Sequence, residues 1–301
     1  MRKRLDFELC MYIAIWYFSS VVCTNTTKTV NLHWALLTLT QLSLSALCGF
    51  LMIFVFGFIP YRPLTNFYQL RYTAFVSFWF VVGFVTLNES IRMMSISIVM
   101  TYRAAEPLFT MVLSFYLNKK EKLSWLKIVS LGPIIVGAIL SSLSQKQATY
   151  RGILTVTLCN LSWALIRIYT RRLKQEYSLD ACNFFFQISY LGACQQALVL
   201  LLLSPRINQL DEVSGHLHAD AGFALHLLIN GLTFFLYLQM SWLVLARVSA
   251  VTHSIINSLR LPFLCVFGWL QFGENLSSIN MLGIALASVG AVPFFVIKDK
   301  R

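Results

Sequence analysis

Two arginines lie inside apolar runs, Arg103 within Ser95 to Leu117 and Arg260 within Val248 to Phe272. Each is followed by a proline, Pro107 and Pro262. A cation at the centre of a membrane-spanning helix costs about 2.5–3.5 kcal/mol on insertion scales, so it is rare there and marks function. The planar guanidinium donates two parallel hydrogen bonds and suits phosphate. One such residue in each half of a polytopic chain points to a central pocket for an anion.

The neighbours refine this reading. Arg103 sits in Thr101-Tyr-Arg-Ala-Ala-Glu-Pro107. Pro107 has no N–H, so the carbonyl of Arg103 loses its helical partner. Glu106 is three residues away and is the expected partner. The competing reading is an Arg–Glu pair that only fixes two helices. Around Arg260, the residues His253, Asn257 and Arg260 fall at i, i+4 and i+7, one polar stripe on an apolar helix. The stripe suits a wet or occupied cavity, and the competing reading is a polar seam between helices. Tyr237 and Gln239 share another span, where a tyrosine commonly packs with its hydroxyl satisfied. Lys28 closes the first apolar run, either as an interfacial anchor or as a peripheral ligand contact. Arg167 is close enough to Arg171 and Arg172 to snorkel toward the same surface.

Other patterns carry less. His216-Leu-His-Ala-Asp220 resembles a metal spacing, but no further ligands complete a zinc site. No metal and no cofactor are expected. The triplets beginning at Asn25, Asn88 and Asn275 fit the glycosylation pattern, yet all hug apolar runs. The seven cysteines are scattered and form no C-x-x-C pair. The basic start, Met1-Arg-Lys-Arg4, could open a signal peptide; Asp6 and Glu8 favour a retained first helix.

These residues need helices to carry them. The chain of 301 residues is 57% hydrophobic and 12% charged. About 20 apolar residues span a bilayer. Ten stretches qualify: 7–24, 32–59, 71–88, 93–117, 124–143, 151–170, 182–204, 221–245, 248–272 and 278–297. The expected class is an all-α membrane protein. The net charge of +12 would suggest nucleic acid in a soluble chain, but its placement excludes that partner. With ten spans, 16 Lys and Arg fall on the side of the termini, 5 on the other, and 3 within spans. Basic residues mark the cytoplasmic face, so both termini are expected in the cytosol.

The spans divide into two sets of five. Glu121-Lys-Leu-Ser124 with Gly137 is repeated by Glu274-Asn-Leu-Ser277 with Gly290, at one offset of 153 residues. Five helices per repeat invert the second copy in the membrane. That is the inverted repeat of secondary transporters, whose site lies near the midplane. The chain is therefore expected to be one transporter domain, with repeats over 1–147 and 148–301.

At the level of motifs the chain resembles the triose-phosphate translocator family, kin to nucleotide-sugar transporters within the drug/metabolite transporter superfamily. Arg247-Val-Ser-Ala-Val-Thr-His-Ser-Ile-Ile-Asn257 is similar to the family's R-V-S-P-V-T-H-S-V-G-N segment. Leu236-Tyr-Leu-Gln239 resembles L-Y-N-Q, whose tyrosine contacts substrate. Arg103-Ala-Ala-Glu-Pro-Leu-Phe109 resembles K-A-x-E-P-F-F, whose lysine contacts phosphate. Trp16-Tyr17 with Lys28 resembles the first helix, and Thr86-Leu-Asn88 the T-x-N motif. There are departures. The family's first-half lysine is Arg103, its Lys-Arg dipeptide falls on Arg260-Leu261, and Phe84 stands where plastid members often carry His. Arg167 is one residue out of register with the family's sixth-helix Arg.

The resemblance implies an alternating-access antiporter for a small anionic, phosphorylated ligand. Its expected site is Arg103, Arg260, Tyr237, His253 and Asn257, with Lys28 at the periphery. The expected reaction exchanges a phosphorylated sugar-type anion for phosphate or a related anion. Closing both gates around two buried cations without an anion is costly, which favours exchange over uniport. A nucleotide-sugar/nucleoside monophosphate antiporter is the alternative within transport. A membrane-embedded transferase is the alternative of another class. The expected compartment is the Golgi or endoplasmic reticulum, with the plastid envelope second.

Overall fold

The computed structural model describes residues 2–117, 132–133, 136–137, 149–177, 180–203, 221–248, 250–273 and 278–291. Every longer element among them is helical. In chain order they are α1 (Arg2–Val30), α2 (Trp34–Phe50), α3 (Phe67–Met93), α4 (Ile96–Arg103), α5 (Glu106–Leu117) and α6 (Tyr150–Glu176). There follow α7 (Ala181–Leu203), α8 (Ala221–Arg247), α9 (Ala250–Phe272) and α10 (Ser278–Ala291).

Local chemistry sets several ends. The His33 ring nitrogen accepts from the Ala35 N–H at 3.3 Å and caps α2. Ser95 Oγ accepts from the Ile98 N–H and starts α4. α2 closes in a π-helical turn, Leu51–Val55, and Gly57 at φ 63° turns the chain away, a conformation open to glycine.

Seven stretches are long and apolar enough to cross a bilayer: Phe7–Val30, Trp34–Val55, Phe67–Met93, Ile96–Ser114, Tyr150–Thr170, Ala181–Leu202 and Gly222–Arg247. They match seven of the ten stretches read from the sequence. α9 covers the ninth, with Pro262–Phe272 as a shorter apolar portion. α10 covers part of the tenth. Nearly all of the fifth, 124–143, lies outside the described residues, as does the 216–220 loop.

The chain forms two compact units. Unit 1 is Met1–Asn88 with Tyr169–Ala246, and unit 2 is Glu89–Ile168 with Arg247–Arg301. Each unit draws on both sequence halves, because helices choose partners by packing and not by order in the chain.

Unit 1 is knit by buried amides. Asn230 of α8 donates to Cys23 O at 3.0 Å and to the hydroxyls of Thr26 and Thr27 on α1. It accepts from Gln41 of α2 at 2.9 Å. Asn88 of α3 donates to Gln41 at 2.9 Å and Thr38 at 3.0 Å. Polar groups in an apolar bundle demand such partners, and here they lock four helices together. The same burial removes two glycosylation candidates, since Asn25 and Asn88 face the interior. The helices also approach closely. A Cβ on Gly231 would stand 2.2 Å from Leu44 Cδ1 and 3.1 Å from Leu44 Cβ. Gly231→Val is therefore expected to destabilise the protein by about 1–3 kcal/mol through overpacking. Thermal unfolding in detergent would show a lowered midpoint, and an unchanged midpoint would refute the tight α2–α8 contact.

Candidate functional site

Unit 2 carries both central arginines. α4 ends at Arg103, and α5 starts at Glu106. Between them Ala104 and Ala105 form a tight turn. Their N–H groups bond back to Met100, Thr101 and Tyr102, and Leu108 N–H bonds to Ala105 O. Pro107 occupies the first turn of α5, where a missing N–H does no harm. The proline signal in the sequence thus becomes a break. α6 supports it, because Asn160 Nδ2 donates to Tyr102 O at 2.9 Å. Pro262 acts differently: α9 runs through it from Ala250 to Phe272 without interruption.

The break presents charges. Arg103 is 7% exposed and donates from Nη2 to Glu106 Oε2 at 3.1 Å. Arg167 of α6 reaches the other oxygen, Oε1, at 2.6 Å. The expectation that Arg167 snorkels to the surface is corrected: it turns inward to a buried carboxylate, whose desolvation calls for a cation. The Arg103 guanidinium also sits 5.6 Å over the Trp163 ring, a cation–π contact. Arg103 and Arg167 thus share one buried carboxylate. The Arg103–Glu106 pair of the competing reading is present, with Arg167 on the second carboxylate oxygen.

On α9 the polar stripe is real. Arg260 is 6% and His253 9% exposed, and Asn257 is half-buried. Leu264 and Cys265 continue the buried face, while Leu259, Phe263, Val266 and Phe267 point outward. The buried face is polar in its first half and apolar in its second. α9 packs on α4, with Cys265 Sγ 3.8 Å from Ser97 O. Arg103 and Arg260 come from opposite halves of the sequence, and both belong to unit 2.

The remaining expected residues belong to unit 1. Tyr237 is half-buried on α8, its ring edge-on to Phe234 at 5.6 Å. Phe234 meets Phe84 at 4.6 Å, and Phe84 meets Phe80 at 4.9 Å. Phe84, at the position where a His was noted in plastid members, is thus a member of an aromatic stack. Gln239 Nε2 donates to Cys182 Sγ at 2.8 Å. Lys28 lies half-buried in the last turn of α1. Among the described residues no three His, Cys, Asp or Glu side chains cluster as a metal site.

Arg167 and Trp163 are the residues that sequence reasoning undervalued. Arg167 had one signal, its near-register match to the family's sixth-helix arginine. Trp163 had none.

Buried arginines on long apolar helices fit a multi-pass membrane protein. The comparisons specify it further: the Triose-phosphate Transporter family model matches residues 7–294, and the chain belongs to that family. It is similar to the chloroplastic triose phosphate/phosphate translocator of Zea mays, 26% identical over 251 residues, covering 80% of this chain and 59% of that protein. It is 28% identical over 246 residues to phosphoenolpyruvate/phosphate translocator 3 of Oryza sativa subsp. japonica, covering 79% of this chain and 61% of that protein. The chain spans about 59–61% of the length of these relatives. A solved crystal structure of a protein superposes with TM-score 0.64 over the whole of both chains at 14% identity, which shows a shared fold.

Proposed function

We propose that the protein is a secondary antiporter exchanging a phosphorylated sugar-type anion for phosphate or a related anion. The observation that carries this reading is the pair of buried arginines in unit 2. Relatives named as phosphate translocators support it. Arg103 and Arg260 bind the phosphate, with His253 and Asn257 adding hydrogen bonds. Tyr237 and Lys28 are further proposed ligand contacts, on the motif resemblance of their sequence positions.

The ten-helix arrangement with two inverted five-helix repeats is part of the proposal. It makes α4 and α9 antiparallel, and that has a consequence for the arginines. From the Ser97–Cys265 contact, Arg103 lies six residues along α4 and Arg260 five residues back along α9. At about 1.5 Å per residue, these are nearly equal steps in one direction, roughly 9 and 7.5 Å. The two arginines then share one depth.

Leu261 replaces one cation of the family's Lys-Arg dipeptide, which favours contacts beyond the phosphate, to a sugar or a base. The second reading is therefore a nucleotide-sugar/nucleoside monophosphate antiporter. Membership of a transporter family favours either carrier over a membrane-embedded transferase. The proposed compartment stays the Golgi or endoplasmic reticulum, with the plastid envelope as the alternative that the chloroplastic relatives raise.

Counterflow in proteoliposomes preloaded in turn with phosphate, phosphosugars and nucleotides tests the function. Stimulation by phosphosugars supports the first reading, and stimulation by nucleotides alone supports the second. No stimulation by any of them rejects both. The orientation is tested separately. Single cysteines introduced beside Lys120 and beside Asp211 are expected to label from opposite sides, the former from the cytosol. Labelling from one side would overturn the ten-span model.

A further inference from the structure

Unit 1 holds a cavity of about 480 Å³, the size of a small-ligand site. Its walls come from the α2–α3 connection, the end of α6 and the start of α7. α7 pins the connection by its backbone. Arg62 N–H donates to Asn183 Oδ1 at 2.9 Å, and Gln187 Nε2 donates to Arg62 O at 2.9 Å. Asn183 Nδ2 also donates to Pro60 O at 3.1 Å. Arg62, Glu176 and Asp180 all line the cavity. Among the described residues, neither Arg62 nor Glu176 is in an ion pair. An unpaired cation and an unpaired acid in one cavity suit a ligand that carries both signs.

Depth and surroundings narrow that ligand. The apolar stretches Trp34–Val55 and Tyr150–Thr170 end near the cavity, and Phe67–Met93 and Ala181–Leu202 start there. The cavity therefore stands where the spans leave the hydrocarbon core, at the level of lipid headgroups. An aromatic strip leads from it along the spans. Tyr61 lines the cavity and meets Phe54 at 4.9 Å. Phe54 meets Phe50 at 5.0 Å and Phe186 at 6.1 Å, and Phe186 stacks on Tyr190 at 6.5 Å. Phe50, Phe54 and Tyr190 are 45%, 49% and 55% exposed. The order along α7 matters. Asp180 caps its start, accepting from Asn183 N–H at 2.9 Å. Arg62 is held level with Asn183 and Gln187, roughly 4.5–10 Å further in at about 1.5 Å per residue. Phe186 and Tyr190 continue inward. Acid, guanidinium and aromatic strip thus follow one another as ammonium, phosphate and acyl chain do in a phospholipid.

We propose that this cavity binds the headgroup of a phospholipid carrying a phosphate and a primary ammonium, with an acyl chain along the strip. Arg62 takes the phosphate through its planar fork. Glu176 and Asp180 accept from the ammonium, which has three donors where a quaternary ammonium has none. A glycerol headgroup offers no cation to the two acids. The bound lipid joins the α2–α3 connection to the α6–α7 turn. The site shares no residue with the arginine cluster of unit 2 and does not rest on the antiport reading.

The test is native mass spectrometry of the purified full chain in detergent. It would be titrated with phosphatidylethanolamine, phosphatidylcholine and phosphatidylglycerol of identical acyl chains, and with free phosphoethanolamine. Phosphatidylethanolamine is expected to bind several-fold tighter than the other two lipids, and phosphoethanolamine not to bind at the same concentrations. Arg62→Ala should weaken phosphatidylethanolamine at least about tenfold, the scale of one lost hydrogen bond between charged groups. Glu176→Gln should weaken phosphatidylethanolamine and strengthen phosphatidylglycerol, two shifts of opposite sign that a merely structural role would not produce. Both residues are exposed, and size-exclusion profiles check that each variant is folded. Should Arg62→Ala not yield folded protein, Glu176→Gln decides alone. Equal binding of the three lipids, or equal loss of all three in Glu176→Gln, overturns the proposal. Phosphoethanolamine binding as tightly as the lipid would assign the cavity to a free zwitterion and reject the acyl-chain strip.

Discussion

Arg260→Ala should abolish anion exchange while leaving a folded, membrane-inserted protein. Arg260 is 6% exposed, on the buried face of α9 that it shares with His253. Truncating one member of a buried, charge-assisted contact costs about 2–5 kcal/mol, or at least about 30-fold in ligand binding. Folding is expected to survive, because the apolar second half of the buried face, including Leu264 and Cys265, remains in place. Arg260→Lys should retain partial activity, since it keeps the charge and loses the planar fork. Exchange rates would be measured beside a size-exclusion profile of each variant. Wild-type exchange by monodisperse Arg260→Ala protein would remove Arg260 from the site.

The second large effect is coupling between the arginines. If Arg103 and Arg260 hold one phosphate, losing either removes most of what the other contributes. A double-mutant cycle on phosphosugar binding should then show a coupling energy within about 0.5–3 kcal/mol, far from additive. Both residues belong to one compact unit, so the coupling does not depend on any motion between units. Binding of inorganic phosphate alone should be weak in every variant, because Leu261 leaves the site one cation short of the family's dipeptide. Simple additivity would mean two separate roles, with Arg103 serving Glu106 and Arg260 serving the ligand.

The limits of sequence reading show in these same residues. Spans were legible because a bilayer fixes both length and hydropathy: the expected 32–59 and 71–88 meet the apolar helical stretches Trp34–Val55 and Phe67–Met93. The break after Arg103 was legible too, through Pro107. An identical argument at Pro262 would have failed, since α9 stays continuous there. A proline removes one hydrogen bond, and whether the helix stops depends on what the surroundings supply in its place. The polar stripe of α9 followed from helical periodicity alone. Long-range partners did not follow. Arg167 meets Glu106 across 61 residues of sequence, and nothing local distinguishes that from snorkelling toward Arg171. Asn230 attracted no notice as a lone amide in an apolar run, yet it holds α1 and α2 to α8. The compact units take helices from both sequence halves, which no single helix's pattern announces. Periodicity describes one helix at a time and says little about which helices pack.

The central claim is that a buried cationic site exchanges anions and does not conduct or transfer them. Trans-stimulation tests it most directly. Purified protein in liposomes would be offered labelled phosphate outside, with either phosphosugar or no anion inside. The expected result is uptake at least tenfold faster into loaded vesicles, because closing the empty site around buried arginines without an anion is costly. Equal uptake into loaded and empty vesicles would contradict the account.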